Sequence, residues 1–217
     1  MTRVKICGIQ EIDHALVAAR AGADFIGLVF VPQRRRRIEI SAARAIVSVL
    51  KDHSDSAPKL VGLFADQPLA EVNQVVRACQ LDLVQLCGQE SLDHCGRVEA
   101  KVIKVLHVAG TGTGNVTRLA ENIQSFRDDG HLVTLDRLVD GLQGGTGQMF
   151  DWEIAAQLSQ QGHSFLLAGG LTPSNVADAI SMIKPWGVDV SSGVETGGVK
   201  DPEKIRDFVR AAKRSTP

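Results

Sequence analysis

No apolar run in the 217 residues reaches the ~18 needed to cross a bilayer. Nor does a basic stretch followed by an apolar one open the chain, because Met1 leads directly into a segment with strand character. An excess of charge is missing too: 24 Lys and Arg stand against 25 Asp and Glu, a formal net charge of −1. That balance lacks the general electrostatic footprint of a nucleic-acid or anionic-membrane binder. The basic run Arg34 to Arg37 is the one local exception. A cytoplasmic protein with neither nucleic acid nor membrane as partner is expected. Cysteine is scarce: Cys7, Cys79, Cys87 and Cys95. A domain of this size needs no covalent staple, so reduced thiols are expected. The last three recur every eight residues, the spacing of neither a zinc knuckle nor a C-x-x-C redox pair, and no metal site is expected.

What is present is material for a core. The chain is 44% hydrophobic and 23% charged, and it reads as one domain spanning residues 1–217 without a linker or a composition break. Arg3 to Gly8 (RVKICG) alternates with period two, putting Val4 and Ile6 on one side and Lys5 and Cys7 on the other. A helix from Glu11 to Ala21 follows and stops at Gly22. Asp24 to Val31 is a nearly continuous apolar run, as expected of a strand covered on both faces. Ser41 is expected to cap a second helix.

The alternation then repeats: strands at Lys59–Ala65, Asp82–Leu86, Lys101–Leu106, His131–Leu135, Ser164–Ala168 and Gly187–Val190, with helices between them and a last helix at Pro202–Ala212. Pro173 is expected at the first position of the seventh helix. Eight strand-helix units predict a single (β/α)8 barrel in the α/β class. An open dinucleotide-binding sheet would carry its phosphate glycines after the first strand, whereas here they follow strands six to eight.

In such a barrel, functional side chains come from the C-terminal ends of the strands. Period two places Cys7 there on strand one, Gln85 and Cys87 on strand four, Thr134 and Asp136 on strand six, and Asp189 on strand eight. Lys5 is expected to balance an internal carboxylate such as Asp189, because a buried charge needs a partner. Glycine-rich tips occur at Gly144-Gly145-Thr146-Gly147, at Gly169-Gly170 and at Ser191-Ser192-Gly193. Backbone N–H groups at such tips cradle a phosphate, so a sugar phosphate or similar phosphoester is the expected ligand. One arginine of Arg34 to Arg37 can lean over the mouth and grip a second anion.

Several stretches together resemble the phosphoribosylanthranilate isomerase family of tryptophan biosynthesis: KICGI at Lys5–Ile9, GADFIGLVF at Gly22–Phe30, VQLCG at Val84–Gly88 and LD at Leu135–Asp136. GGTG followed by FDW at Phe150–Trp152, LAGGLTPSNV at Leu167–Val176 and DVSSGVE at Asp189–Glu195 continue it, so that the likeness runs from Val4 to about Phe208. The resemblance implies a cofactor-free Amadori rearrangement of N-(5-phosphoribosyl)anthranilate. In it, Asp136 is the general acid that opens the sugar ring, Cys7 the base that takes the C2 proton, and Arg36 the carboxylate-binding arginine.

Gly144, Gly145, Thr146, Gly169, Gly170, Ser191, Ser192 and Gly193 are the expected phosphate-binding residues, with Lys5, Gln85 and Asp189 as further substrate-site candidates. Cys87 stands where many members have histidine. A histidine-pathway or dual-substrate isomerase, or a barrel that binds without turnover, are the alternatives. A monomer is the default, with a homodimer as the alternative.

Overall fold

The alternating apolar segments form strands because each can bury both faces, one against helices and one inside a ring. A computed structural model of the chain describes residues 1–53, 57–108, 113–139, 142–143 and 152–215. Among these, eight parallel strands close into a barrel: β1 (Arg3–Cys7), β2 (Phe25–Val29), β3 (Lys59–Phe64), β4 (Leu83–Leu86), β5 (Lys101–Val108), β6 (Leu132–Val139), β7 (Leu166–Leu167) and β8 (Gly187–Val190). Each pairs with its successor, and β8 returns to β1. Around them lie α1 (Ile12–Ala21), α2 (Ile40–His53), α3 (Leu69–Cys79), α4 (Leu92–Gly96), α5 (Thr113–Asp128), α6 (Trp152–Gln160), α7 (Val176–Ile183) and α8 (Pro202–Arg214). No helix among the described residues is long and apolar enough to cross a membrane.

The period of two divides the core. Val4, Ile6, Ile26 and Leu28 face outward into the layer shared with the helices, and each fully buried aliphatic side chain there stabilises the fold by about 1.5–3 kcal/mol. Cys7, Phe25, Val29, Val61, Leu63, Leu83, Ile103 and Leu166 form a second cluster, inside the ring. Register then decides which polar groups become neighbours: Lys5 lies beside Asp189, Cys7 beside Gly27, and His107 beside Asp136.

Three local expectations require correction. Ser41 does not cap α2, because helical bonding already starts with Ala43 N–H donating to the Glu39 carbonyl, two residues too early for a serine cap at position 41. Pro173 is not at the first position of α7. Asn175 instead accepts from the Thr172 N–H at 2.8 Å and donates to the Gly170 carbonyl at 3.0 Å, folding Pro173 into a turn that precedes the helix. Strands β5 and β6 run past Leu106 and Leu135, since their pairing continues through His107–Asp136 and Val108–Arg137. β6 also pairs antiparallel with Leu142–Gln143.

Candidate active site

A cavity of about 250 Å³ opens at the C-terminal ends of the strands, lined among others by Cys7, Arg36, Gln85, His107, Asp136 and Asp189. Cys7 ends β1 with its thiol inside the barrel, 6% exposed. A Cβ on Gly27 of the adjacent strand would come within 2.9 Å of that sulfur, so the glycine provides the room the thiol occupies.

Below it, Lys5 is fully buried and its Nζ donates to Asp189 Oδ2 at 2.9 Å. Burial alone would lower the lysine pKa, but the Asp189 carboxylate and Cys7 reverse the effect and raise it. Lys5 therefore lies under the cavity as a permanent cation, as its expected pairing with Asp189 requires. Burial pushes the Cys7 thiol up, against the pull of Lys5 and Lys200, which favour the thiolate. A general base must ionise to take a proton; burial opposes that ionisation at Cys7, and the two lysines assist it.

Arg36 is brought to the rim by the turn after β2 and packs over Gly8, where φ is +77° and a Cβ would collide with the arginine Cδ. Its Nε and Nη2 donate to Glu195 Oε1 and Oε2 at 2.6 and 3.0 Å. Arg35 and Lys200 bind the same carboxylate at 2.6 and 2.9 Å. Burial would raise the Glu195 pKa, but hydrogen bonds from Arg36, Lys200 and Arg35 bring it down to about 2. Lys200 itself is lowered by burial despite Glu195.

The opposite wall, from β4 and β5, is less polar in charge. Gln85 Nε2 reaches Cys87 Sγ at 3.7 Å, and burial pushes the Cys87 thiol up to about 12, so it is a neutral group. His107 Nε2 lies 3.1 Å from the Cys87 carbonyl. Gln85 Oε1, His107 Nδ1, Thr134 Oγ1 and Asp189 Oδ1 are buried without hydrogen-bond partners. Such atoms carry a desolvation cost that a bound ligand or water relieves.

Of the expected phosphate residues, Gly169, Gly170 and Ser191 line the cavity, with Gly169 and Gly170 at φ +91° and +68°. Ser192 and Gly193 belong to the adjoining 3-10 turn, Ser192–Val194. Gly144, Gly145 and Thr146 lie outside the described residues. All four cysteines are free, and no group of three or more His, Cys, Asp or Glu suited to a metal occurs among the described residues.

Sequence reasoning missed His107, because ending the strand at Leu106 left it in a loop. Extending the alternation Ile103, Val105, His107 would have found it. Glu195 and Lys200 received no role, and nothing local in the sequence signals their partners.

An acid, a thiol and an arginine gathered at the open end of a parallel barrel define an enzyme site for a small anionic substrate. Comparison with known proteins narrows the class. The chain belongs to the N-(5'-phosphoribosyl)anthranilate isomerase family, whose model matches residues 4–211. Curated members from Trichlorobacter lovleyi and Dehalococcoides mccartyi are 44% and 42% identical, covering 99% and 98% of this chain and 100% and 96% of their own. The crystal structure of phosphoribosyl anthranilate isomerase from Thermotoga maritima matches with a TM-score of 0.84 at 32% identity, over 99% of this chain and all of that one (100%). A second solved structure of this isomerase, in complex with reduced 1-(o-carboxyphenylamino)-1-deoxyribulose 5-phosphate, matches with a TM-score of 0.81 at 31% identity over 99% of this chain and 100% of its own.

Proposed function

We propose that this chain catalyses the Amadori rearrangement of N-(5'-phosphoribosyl)anthranilate to 1-(2-carboxyphenylamino)-1-deoxyribulose 5-phosphate, with Asp136 as general acid and Cys7 as general base. The observation that carries this reading is that Cys7 on β1 and Asp136 on β6 line one cavity from different sides of the ring. Asp136 protonates the furanose ring oxygen, and the C1–O bond breaks as the nitrogen lone pair forms the iminium. The Cys7 thiolate then removes the C2 proton, and the C–H electron pair moves to give the enolamine. Tautomerisation returns a proton to C1 and leaves the C2 ketone.

The acid must be protonated and the base ionised in the same encounter, so their environments must differ. Lys5 and Lys200 favour the thiolate, and the acid stands on a different strand, β6. Arg36 binds the anthranilate carboxylate, and the tips after β6, β7 and β8 bind the phosphate. Fixing the substrate at both anions supplies the orientation that proton transfer alone does not.

The test is the fluorescence change of freshly generated N-(5'-phosphoribosyl)anthranilate, followed for the wild type, Cys7→Ala and Asp136→Asn, each verified as folded by circular dichroism. Turnover by the wild type that collapses in both variants is expected. Full activity in either variant refutes that residue's role, and a wild type without turnover refutes the reaction.

A further inference from the structure

Glu195 follows the 3-10 turn after β8 and opens a small antiparallel hairpin, Glu195–Thr196 against Val199–Lys200. Its carboxylate, 6% exposed, accepts four hydrogen bonds from three cations. Arg36 Nε at 2.6 Å and Lys200 Nζ at 2.9 Å bind Oε1, while Arg36 Nη2 at 3.0 Å and Arg35 Nη2 at 2.6 Å bind Oε2. Arg35 Nη1 also donates to the Gly198 carbonyl in the hairpin turn. Lys200 donates to the Ser191 carbonyl at 2.7 Å, and Ser191 Oγ to the Cys7 carbonyl at 3.2 Å. The carboxylate thus joins the turn after β2 to the hairpin after β8, on either side of β1.

The way Arg36 is held has a directional consequence. A guanidinium is a planar fork with two usable edges, and Glu195 occupies the edge formed by Nε and Nη2. The edge bearing Nη1 is left for an anion in the cavity that Arg36 lines. One carboxylate against three cations also leaves the cluster net positive, so it still attracts a second carboxylate. Without Glu195, three like charges would repel and the arginine would sample other rotamers.

We propose that Glu195 is a positioning residue that makes the site selective for a carboxylated aryl amine, by fixing Arg36 with one edge bound and the other turned to the substrate. The inference rests on the reading of Arg36 as the substrate-carboxylate ligand. Glu195 itself touches no reacting atom, so its removal acts on discrimination between substrates rather than on proton transfer.

The experiment compares N-(5'-phosphoribosyl)anthranilate with the analogue lacking the carboxylate, N-(5'-phosphoribosyl)aniline, on wild type, Glu195→Gln, Arg36→Ala and the double variant. Glu195→Gln is expected to raise KM for the carboxylated substrate about tenfold or more, the effect of weakening one charge-assisted contact. Its kcat should change little, and kcat/KM for the aniline analogue should stay within about threefold, well under the tenfold expected for one such contact. In the Arg36→Ala background, Glu195→Gln should remove no further discrimination.

Equal losses on both substrates, or a fall in kcat at constant KM, would overturn the proposal and leave Glu195 a structural tie. Should Glu195→Gln fail to fold, Glu195→Asp keeps the charge but withdraws it by one methylene, and an unchanged substrate ratio there would be equally fatal. A wild type that turns over the anthranilate substrate without preferring it to the aniline analogue refutes the reading of Arg36. A wild type that prefers it, with a preference surviving Glu195→Gln, refutes only the role of Glu195.

Discussion

The two sides of the cavity are built in opposite ways. Toward β1, β2 and β8 the wall is charged and its charges are paired, with only Asp189 Oδ1 left without a partner among the described residues: Lys5 is bound to Asp189, and Arg35, Arg36 and Lys200 converge on Glu195. Toward β4 and β5 it is neutral and incomplete, with Gln85 Oε1 and His107 Nδ1 buried and unpartnered. The difference follows from desolvation: a buried charge without a partner costs several kcal/mol, whereas an unpaired amide or imidazole atom costs about 1–3 kcal/mol. Charges are therefore organised before substrate arrives, while the neutral wall can leave atoms to be satisfied by what binds.

Removing the reacting groups should have the largest effect. Cys7→Ala and Asp136→Asn are each expected to lower kcat by ~10²- to 10⁴-fold, the usual contribution of positioned proton transfer, in the fluorescence assay.

Next comes the buried ion pair. Lys5→Met leaves the Asp189 carboxylate in the barrel without its cation, and should cost about 3–5 kcal/mol in urea unfolding. Adding Asp189→Leu should recover much of that loss. A double variant no more stable than Lys5→Met would show that the pair is not the source.

A smaller effect separates the two walls by pH. Because burial holds the Cys7 thiol above its ordinary pKa, the thiolate fraction, read as the rate of Cys7 alkylation, should climb as pH rises from about 7 to 9, toward and past the thiol's ordinary range. Lys5, whose pKa the Asp189 carboxylate raises, keeps its charge over that range and should contribute no step. An alkylation rate that stays flat over that range would contradict the buried, raised thiol.

The smallest change is expected on the neutral wall. Cys87→Ala removes a thiol that is un-ionised at any physiological pH, and kcat/KM should shift by no more than about threefold, less than the loss of one net hydrogen bond would cause at the upper end. A loss comparable with Cys7→Ala would mean that the neutral wall takes part in proton transfer, and the contrast between the walls would fail.

Much of this division was legible in the residues. The run Leu69–Cys79 predicts a helix and forms one with the same ends, since its apolar spacing and its termini are local properties. Gly187–Val190 likewise forms the strand its composition implies. The pairing of Lys5 with Asp189 followed from two inward-facing charges that could not remain alone. By contrast, the end of β5 was misjudged at Leu106 because the residues that extend the strand lie on β6 and offer no local signal. Ser41 and Pro173 carried end signals that the hydrogen bond to the Glu39 carbonyl and those of the Asn175 side chain overrode.

Local geometry alone determined which side chains point into the ring, because a strand reverses its side chains at every residue wherever it is placed. That was enough to put Cys7, Gln85, Asp136 and Asp189 at one end of the barrel. Only tertiary closure decided what those groups experience. Arg36 and Glu195 meet across a separation of 159 residues, and the Cys7 thiol is raised or lowered by how deeply the completed ring buries it between Lys5 and Lys200. Burial and long-range charge pairing are properties of the assembled barrel, and no window of sequence contains both partners.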